Sequence, residues 1–483
     1  MTLKPVLFWF RRDLRLRDNP ALQACLSSGQ PVIPVYILED QKNASRALGG
    51  ASRWWLHRSL ESLKASLEKC GSALILKQGD PAAVLAALIE ETSANGIYWN
   101  RRYDKEGIDT DKAVKSTFIE AGIRVETFNG SLLREPWEVK TGSNTHYKVF
   151  TPFWKNLKAM GPARQKACAP VTKIPSPNPM PMGVCLEDWS LYPAKPDWAK
   201  AFPKQWTPGE KGAHQCLDQF LAGPVNDYDA SRNIPNIKGT SKLSPHLAFG
   251  EISPLEIWHK ALLAIETGAN EKECWKFLSE IAWREFSYHL LYFYPRLSEI
   301  PLRGAFAHYP WLDDKESLQA WQRGLTGYPM VDAGMRELWQ TGWMHNRVRM
   351  IAASFLIKHL LVPWQKGEAW FWDTLVDADI ASNSASWQWV AGCGADASPY
   401  FRIFNPFGQG EKFDADGDYV RRYIPELKKL PNKYIHQPWS APAEILEKAG
   451  IELGRDYPKP IVDHKAARQR ALSGYQQVKE IAS

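Results

Sequence analysis

Short apolar segments alternate with amphipathic segments through the first 130 residues, and this alternation constrains the fold more than any other feature. The apolar segments have the length of buried strands: Val6–Phe10, Pro31–Leu38, Ala73–Leu76, Gly96–Trp99 and Arg124–Phe128. Between them, Ser52–Lys69, Pro81–Glu91 and Asp104–Ala121 have helical spacing. Strands that alternate with helices favour a doubly wound parallel sheet. The turn after the first strand, Arg11–Leu16, contains no GxGxxG, so no standard dinucleotide site is predicted.

A proline-rich connection follows this alternating region. Residues 162–208 contain ten of the 34 prolines, and such a stretch cannot continue a regular helix or a central strand. From about residue 212 to 400 the apolar spacing becomes helical, for example in Pro254–Ala264, Glu271–Tyr294, Met330–Thr341, Arg347–His359 and Glu368–Thr374. The sequence therefore predicts an α/β domain over residues 1–135, a connector over 136–210 and an all-α domain over 211–483.

Charge and cysteine usage narrow the class of protein. A net charge of +7 is a mild indication of a polyanionic partner. The seven cysteines form no CxxC pairs, which favours reduced thiols over a disulfide framework or a metal site. No apolar run approaches the roughly 20 residues that span a bilayer, and the first residues lack the pattern of a secretory signal. We therefore expect a cytoplasmic protein with no membrane partner.

Tryptophan is the compositional outlier. The chain has 22 Trp, and fourteen of them lie from Trp206 onward. A buried indole N–H needs a hydrogen-bond partner, so Trp is an awkward residue for simple core filling. Carbohydrate binding, nucleobase stacking and electron transfer between aromatic rings all use Trp, and composition leaves the three open.

Two segments have the residue types of an anion or cofactor site. Gly239–Pro245 places three hydroxyl residues and a Lys before a predicted helix start, which suits either an anion site or an ordinary helix cap. In Asp377–Trp389, Asp377 and Asp379 precede Asn383 and two Trp. These acids either cap a helix in solvent or bind a hydroxyl or a ring N–H, and no His cluster completes a metal site.

Two further segments present polar groups at helical spacing. Glu280, Trp283 and Arg284 share one helix face, which suits either a planar polar ligand or a salt-bridged helix. In Thr341–Met350, the residues Asn346 and Met350 lie one helical turn apart, and two arginines stand between them. Those arginines either bind phosphates or pair with the two aspartates.

Taken together and in this order, these segments resemble the photolyase/cryptochrome family, and most closely its bacterial cyclobutane pyrimidine dimer photolyases. The resemblance runs from the first strand to about residue 430. The matching strings are Trp9–Arg15, Tyr147–Phe153, Gly239–Pro245, Trp283–Phe286, Thr341–Met350, Asp377–Trp389 and Tyr400–Pro406. It implies an α/β N-terminal antenna domain and a helical domain that binds FAD and damaged DNA, in a monomeric protein with access to the nucleoid.

The resemblance also implies which residues hold FAD. The segment around the diphosphate comprises Tyr228, Thr240, Ser241, Lys242, Leu243 and Ser244. The rest of the cofactor is lined by Phe277, Arg284, Asn346, Arg349, Asp377, Asp379 and Asn383. Asn383 would face flavin N5, Arg349 would pair with Asp377, and Phe277 stands where some relatives carry Trp. An antenna chromophore is also implied, and Arg53 and Arg102–Glu106 leave open whether it is methenyltetrahydrofolate or 8-hydroxy-deazaflavin.

The implied reaction is light-driven electron transfer from reduced FAD to a pyrimidine dimer that is flipped out of the duplex. Substrate contacts are implied for Arg232, Glu280, Trp283, Asn346, Arg347, Met350, Trp389 and Arg402. Among these, Trp283 and Trp389 would be the flat walls of the lesion pocket. Catalytic roles are implied for Glu280 and Asn383, and Trp387, Trp364 and Trp311 would form the electron path for photoreduction of oxidised flavin.

Other members of the family, and flavoproteins outside it, would be expected to carry different residues at several positions of this chain. Relatives that repair (6-4) photoproducts use His residues where this chain has Asn346 and Met350, which favours the cyclobutane dimer. Plant-type cryptochrome photoreceptors with little repair activity tend to lose the residues that stand here as Trp283, Trp389 and Asn383, which favours repair over signalling. A conventional flavin oxidoreductase would need a hydride-donor site, which the sequence does not display.

Overall fold

The computed structural model describes residues 3–39, 46–193, 195–397 and 401–482. Within them, five strands form one parallel sheet with the order β3-β2-β1-β4-β5. The strands are β1 (Val6–Phe10), β2 (Val32–Leu38), β3 (Ile75–Gln78), β4 (Gly96–Asn100) and β5 (Arg124–Phe128). The predicted doubly wound sheet is confirmed. Tyr400, in the last of the family-like strings, lies outside the described residues.

The central strands are continuous apolar segments because both faces of the sheet are buried at their positions. Every residue of β1, β2 and β4 is buried, as expected when helices cover both faces of a parallel sheet. Pro34 in β2 pairs with Phe8 of β1, but the pairing of β2 with β3 begins one residue later, at Val35 and Ile75. The missing N–H of Pro34 therefore removes no hydrogen bond from the β2–β3 ladder.

Helices make up most of the described chain. In order, the α-helices are α1 (Pro20–Ser27), α2 (Gly50–Lys69), α3 (Pro81–Thr92), α4 (Lys105–Glu120), α5 (Phe150–Met160), α6 (Glu210–Leu221), α7 (Tyr228–Ser231), α8 (Ser244–Ala248), α9 (Pro254–Glu266), α10 (Glu271–Phe293), α11 (Lys315–Arg323), α12 (Pro329–Thr341), α13 (Asn346–Ser354), α14 (Trp364–Thr374), α15 (Ile380–Ala391), α16 (Pro406–Phe413), α17 (Asp418–Tyr423), α18 (Asn432–Ile435), α19 (Ala443–Ala449) and α20 (His464–Ala482). Short 3-10 turns occupy Leu186–Trp189, Phe202–Lys204, Pro224–Asp227, Gly304–His308, Pro425–Leu427 and Pro438–Ser440.

Packing divides the chain into two compact units. The first unit comprises Met1–Asp197, Pro203–Gly223 and Ser241–Pro295, and the second comprises Trp198–Phe202, Pro224–Thr240 and Arg296–Ser483. Helices α9 and α10, which the sequence assigns to the all-α domain, therefore belong to the same unit as the sheet. The predicted domain boundaries at residues 135 and 210 remain predictions, because a division by packing need not coincide with a division by function.

The second unit has a core that is rich in aromatic side chains. Trp321, Trp364 and Trp387 are buried there together with Phe371. The helix predicted over Arg347–His359 is α13 followed by one π-helical turn, Phe355–His359. Helix α14 begins at Trp364, directly after Pro363, and so starts four residues before the prediction at Glu368. No helix of the described residues is long and apolar enough to cross a membrane.

Close packing at one glycine of the second unit generates a stability prediction. A methyl group at Gly367 in α14 would overlap the ring of Trp387 and the side chain of Leu356. We expect Gly367→Ala to lower the free energy of unfolding by about 1–2 kcal/mol, because overpacking outweighs the better helix propensity of Ala. Urea unfolding measures the change. Gly304→Ala is the matched control, since nothing lies within 4 Å of its added methyl group, and an equal loss in both variants would contradict the overpacking argument.

Candidate functional site

In the first unit, one long helix carries four predicted site residues. Helix α10 begins after Asn270, whose side chain accepts a hydrogen bond from the Glu273 N–H. Trp283 lies on this helix and is stacked on Phe150, the first residue of α5, with ring centroids 3.7 Å apart and planes 9° apart. Phe150 thus covers one face of the indole, which is partly exposed.

The neighbouring charged residues of α10 have separate partners. Arg284 donates a hydrogen bond from Nη1 to the Ser131 carbonyl oxygen at 2.8 Å, and its guanidinium lies over the Tyr288 ring. Glu280 lies 3.6 Å from Lys276 Nζ and is only partly exposed. The helix therefore presents an acid and a flat indole, with Arg284 drawn toward the segment that follows β5.

Glu285 binds the segment that follows β5 to helix α10, and no role was predicted for it from the sequence. Its carboxylate accepts a hydrogen bond from the Leu133 N–H at 2.8 Å. Burial raises the pKa of Glu285 to about 7, although Arg284 and the backbone N–H groups of Leu133 and Arg134 oppose the rise. The Trp283–Phe286 string contained this residue, but a glutamate next to an arginine on a helix gives no sign that it binds a backbone segment 152 positions away.

The predicted diphosphate segment reaches from the second unit into the first. Tyr228 and Thr240 belong to the second unit, and Ser241–Ser244 to the first. Lys242 has a left-handed backbone with φ of +56°, and its Nζ lies 5.7 Å from the centroid of Trp206. Helix α8 starts directly after Leu243, with Pro245 in its first turn as predicted. Phe277 is buried against Phe220, which gives it a packing contact.

In the second unit, the predicted pair of Arg349 and Asp377 is present. Arg349 Nη2 lies 2.8 Å from Asp377 Oδ2, and its Nε donates to the Met344 carbonyl oxygen. Asp379 accepts a hydrogen bond from the Ser382 N–H at 2.8 Å and caps α15. One of the two aspartates is thus a helix cap, and the other is a buried partner of an arginine.

Asn383 has an amide group whose orientation is fixed by its neighbours. Its Nδ2 donates to the Glu368 side-chain Oε1 at 2.8 Å and to the Glu368 carbonyl oxygen at 3.1 Å. Both partner atoms are acceptors, so the NH₂ group must face them and Oδ1 must point elsewhere. Glu368, on α14, was missed as a site residue because its link to Asn383 comes from the packing of two helices.

Three arginines predicted to contact DNA lie close enough to influence one another. Burial lowers the pKa of Arg347, and the positive charges of Arg232 and Arg402 lower it further. Arg347 Nη2 donates to Asn233 Oδ1 at 2.6 Å. A cluster of guanidinium groups that repel one another is expected where an anion is to be bound.

The remaining predicted substrate and electron-path residues also belong to the second unit. Asn346 is exposed at the first position of α13, and Met350 is partly exposed one turn later. Trp364 and Trp387 are buried in the core, whereas Trp311 and Trp389 pack against it and are partly exposed. This places Trp311 at the edge of the core, as a path from interior to surface requires.

Neither antenna candidate is distinguished by the geometry of the first unit. Arg53 donates to the Ser190 carbonyl oxygen at 2.7 Å, and Arg102 pairs with Glu39 and Asp111. These contacts account for both arginines without a ligand, so the identity of the antenna stays a prediction. Among the described residues, no group of three or more His, Cys, Asp or Glu is placed to hold a metal ion.

Two protein-family models match the chain and agree with this geometry. The model described as DNA photolyase covers residues 6–177, and the model described as the FAD binding domain of DNA photolyase covers residues 277–477. Together they define a photolyase-type chain that joins an α/β region to a helical FAD-binding region. The chain belongs to the photolyase/cryptochrome family.

Individual relatives cover nearly the whole chain. It is 54% identical to a deoxyribodipyrimidine photo-lyase of Agrobacterium fabrum, over 99% of this chain and 100% of that one. It is 39% identical to cryptochrome-1 of Arabidopsis thaliana, over 97% of this chain and 70% of that one. A crystal structure of a class III photolyase from Agrobacterium tumefaciens superposes with a TM-score of 0.95 at 53% identity, covering 99% of this chain and 98% of that one.

The ion pair of the second unit generates a prediction. The side chain of Asp377 is 3% exposed and that of Arg349 is 22% exposed. We expect Arg349→Met to lower the free energy of unfolding by about 3 kcal/mol, because the buried carboxylate loses its guanidinium partner. Arg296→Met is the control, since its pair with Glu299 is 62% and 58% exposed and should contribute less than about 1 kcal/mol. Similar losses in urea unfolding would show that the pair at Asp377 contributes no more than a surface pair.

Proposed function

We propose that the chain is a deoxyribodipyrimidine photo-lyase that repairs cyclobutane pyrimidine dimers in DNA, with reduced FAD as the light-excited electron donor. The observation that carries the proposal is the stack of Trp283 on Phe150. A lesion base that leaves the duplex needs a rigid, flat surface in place of its lost stacking partners. Phe150 supports the indole in one plane, and the partly exposed ring would receive such a base on its opposite face.

The residues of the second unit suit a flavin. When bound, FAD supplies the excited electron that the reaction needs. Asn383 offers an amide oxygen whose direction is set by Glu368, and this acceptor suits a ring N–H of a reduced flavin. Arg349 and Asp377 offer a paired cation and carboxylate for the polar edge of the ring. Asn346, Asp379, Tyr228 and Thr240 complete the proposed cofactor set on this unit.

The residues of the first unit suit the remainder of the cofactor. The backbone turn at Lys242 precedes the first turn of α8, so hydroxyl groups and backbone N–H groups stand next to a lysine. Such a group of donors suits a diphosphate. Arg284 and Phe277 are the other proposed cofactor residues on this unit, and Phe277 contributes packing.

We expect positively charged side chains to bind the phosphates of the DNA and flat side chains to bind the lesion. Arg232, Arg347 and Arg402 form the proposed phosphate contacts, which position a duplex without reading its sequence. On the first unit, Trp283 is the proposed stacking surface for the lesion. On the second unit, Trp389, Asn346 and Met350 are the proposed lesion contacts. Glu280 is the proposed hydrogen-bond partner of the lesion, because its partly exposed carboxyl group lies one helical turn before Trp283.

Photoreduction of oxidised flavin is assigned to three tryptophans. We infer that Trp387, Trp364 and Trp311 carry electrons in steps, since two are buried and the third lies at the edge of the same core. The α/β region is the proposed antenna domain, with methenyltetrahydrofolate or 8-hydroxy-deazaflavin as its chromophore. The absorption spectrum of the purified protein separates these two compounds from each other and from flavin alone.

The repair reaction is tested directly with the purified, FAD-loaded protein. After chemical reduction, blue light should restore a thymine-dimer oligonucleotide to unmodified thymines, whereas the same mixture in the dark should leave the dimers intact. Chromatography of the oligonucleotide measures the product. A (6-4) photoproduct in the same sequence is the specificity control and should persist. Intact thymine dimers after illumination would contradict the proposal and favour a photoreceptor with little repair activity.

The proposed stacking surface is tested by three substitutions at two residues that contact each other, Trp283 and Phe150. Trp283→Ala should weaken binding of a dimer-containing oligonucleotide by about 1–3 kcal/mol, because a stacking surface is lost. Phe150→Leu should weaken it less, since the indole remains but loses its flat support, and Phe150→Tyr should retain the affinity. FAD content should stay unchanged in all three.

Trp275→Ala is the matched control for the proposed stacking surface. It removes an indole of the same helix that packs on Trp154 and Trp258. Its affinity for the dimer should equal that of the unmodified protein. If Trp283→Ala binds the dimer as well as Trp275→Ala does, Trp283 does not belong to the pocket.

A further inference from the structure

A cysteine, a histidine and a glutamate of the first unit contact one another in sequence. Cys216 is on α6, His246 is on α8, and Glu251 follows α8. The Cys216 Sγ lies 3.9 Å from His246 Nε2, and His246 Nδ1 lies 2.5 Å from Glu251 Oε2. This order of thiol, imidazole and carboxylate is the arrangement that activates cysteine nucleophiles.

The Glu251 carboxylate is held in place by burial and by a hydrogen bond. Glu251 is completely buried, and its Oε1 accepts a hydrogen bond from Trp55 Nε1 at 2.9 Å. The Trp55 ring also contacts the His246 ring edge-on, with centroids 5.2 Å apart. The imidazole therefore has one orientation, in which Nδ1 faces the carboxylate and Nε2 faces the sulfur.

The His246 imidazole carries a positive charge at neutral pH. Burial by itself would lower the pKa of His246, but the Glu251 carboxylate prevails and raises it to about 9. His214, on α6 two residues before Cys216, has the opposite character, since burial lowers its pKa to about 4. Cys216 thus has one cationic imidazole beside it, and such a cation stabilises the negative charge of an attacking sulfur.

We propose that Cys216 is a site of reversible oxidation by hydrogen peroxide or another small hydroperoxide, activated by His246 and Glu251. The sulfur attacks one peroxide oxygen, so that a sulfur–oxygen bond forms and the oxygen–oxygen bond breaks. The sulfur loses two electrons and becomes a sulfenic acid, and the second oxygen leaves with the thiol proton, as water from hydrogen peroxide or as an alcohol from an organic hydroperoxide. Two molecules of a small thiol then reduce the sulfenic acid to the thiol, and they become a disulfide while the oxygen leaves as water.

Accessibility limits the oxidant to a small molecule. Cys216 is partly exposed, whereas its helix neighbours Ala213, Leu217 and Phe220 are buried. A compact, uncharged peroxide reaches a sulfur in such a position more easily than a bulky disulfide does. The proposal does not depend on the repair reaction, because none of the three residues belongs to the proposed cofactor or lesion sites.

Competition among cysteines of the same unit tests the proposal. The full-length, FAD-loaded protein is treated with hydrogen peroxide in the presence of a sulfenic-acid trap, and each cysteine peptide is quantified by mass spectrometry. Cys185 is the accessibility control, because it is exposed, and Cys168 is the burial-matched control, because it is partly exposed like Cys216. Cys216 should be trapped about tenfold faster than either.

A substitution of Glu251, which contacts the sulfur only through His246, separates activation of the thiol from its accessibility. Glu251→Gln keeps the size of the side chain but removes the charge that holds the imidazole in its cationic form. Trapping of Cys216 should fall to the rate of Cys168, while Cys185 should react as before. If Glu251→Gln does not fold, the ranking of the three cysteines in the unmodified protein decides alone. Equal rates for Cys216 and the two controls, or no effect of Glu251→Gln in a folded variant, would overturn the proposal.

Discussion

The buried carboxylate of Asp377 constrains how α13 packs beside α15 in the second unit. A charged group that is removed from water is tolerated only where an opposite charge and hydrogen bonds replace the solvent. Arg349 meets that demand from α13, while Asp377 stands just before α15. Asp379, two residues later, caps α15, which begins at Ile380, and Asn383 follows one turn further on. The ion pair thus links α13 to the residues that lead into α15.

Much of this could be predicted from the sequence, because local patterns carry it. The five strands were predicted within one or two residues of their observed ends, since buried parallel strands are continuous apolar runs bounded by turn residues. The face of α10 that carries Glu280, Trp283 and Arg284 follows from helical spacing alone. The pair of Arg349 and Asp377 came from family resemblance, and the structure supplies its geometry.

Other features depend on contacts between distant segments and could not be predicted locally. Nothing in the sequence around Phe150 indicates that its ring lies against Trp283, 133 positions later. The same is true of Glu368, whose contact with Asn383 exists because α14 and α15 pack together. The placement of α9 and α10 in the unit of the sheet is likewise a result of packing, which helical periodicity does not encode.

The stack of Phe150 on Trp283 makes the two faces of the proposed stacking surface different. A ring with both faces open would accept a dimer in two orientations, and each of its pyrimidines would meet the same surface. With one face covered, a single pyrimidine can stack on the indole, and its partner must contact other groups. The two halves of the lesion would then be chemically distinct to the enzyme before any electron moves. The groups around the indole, and not the indole alone, would then decide which of the two pyrimidines stacks on it.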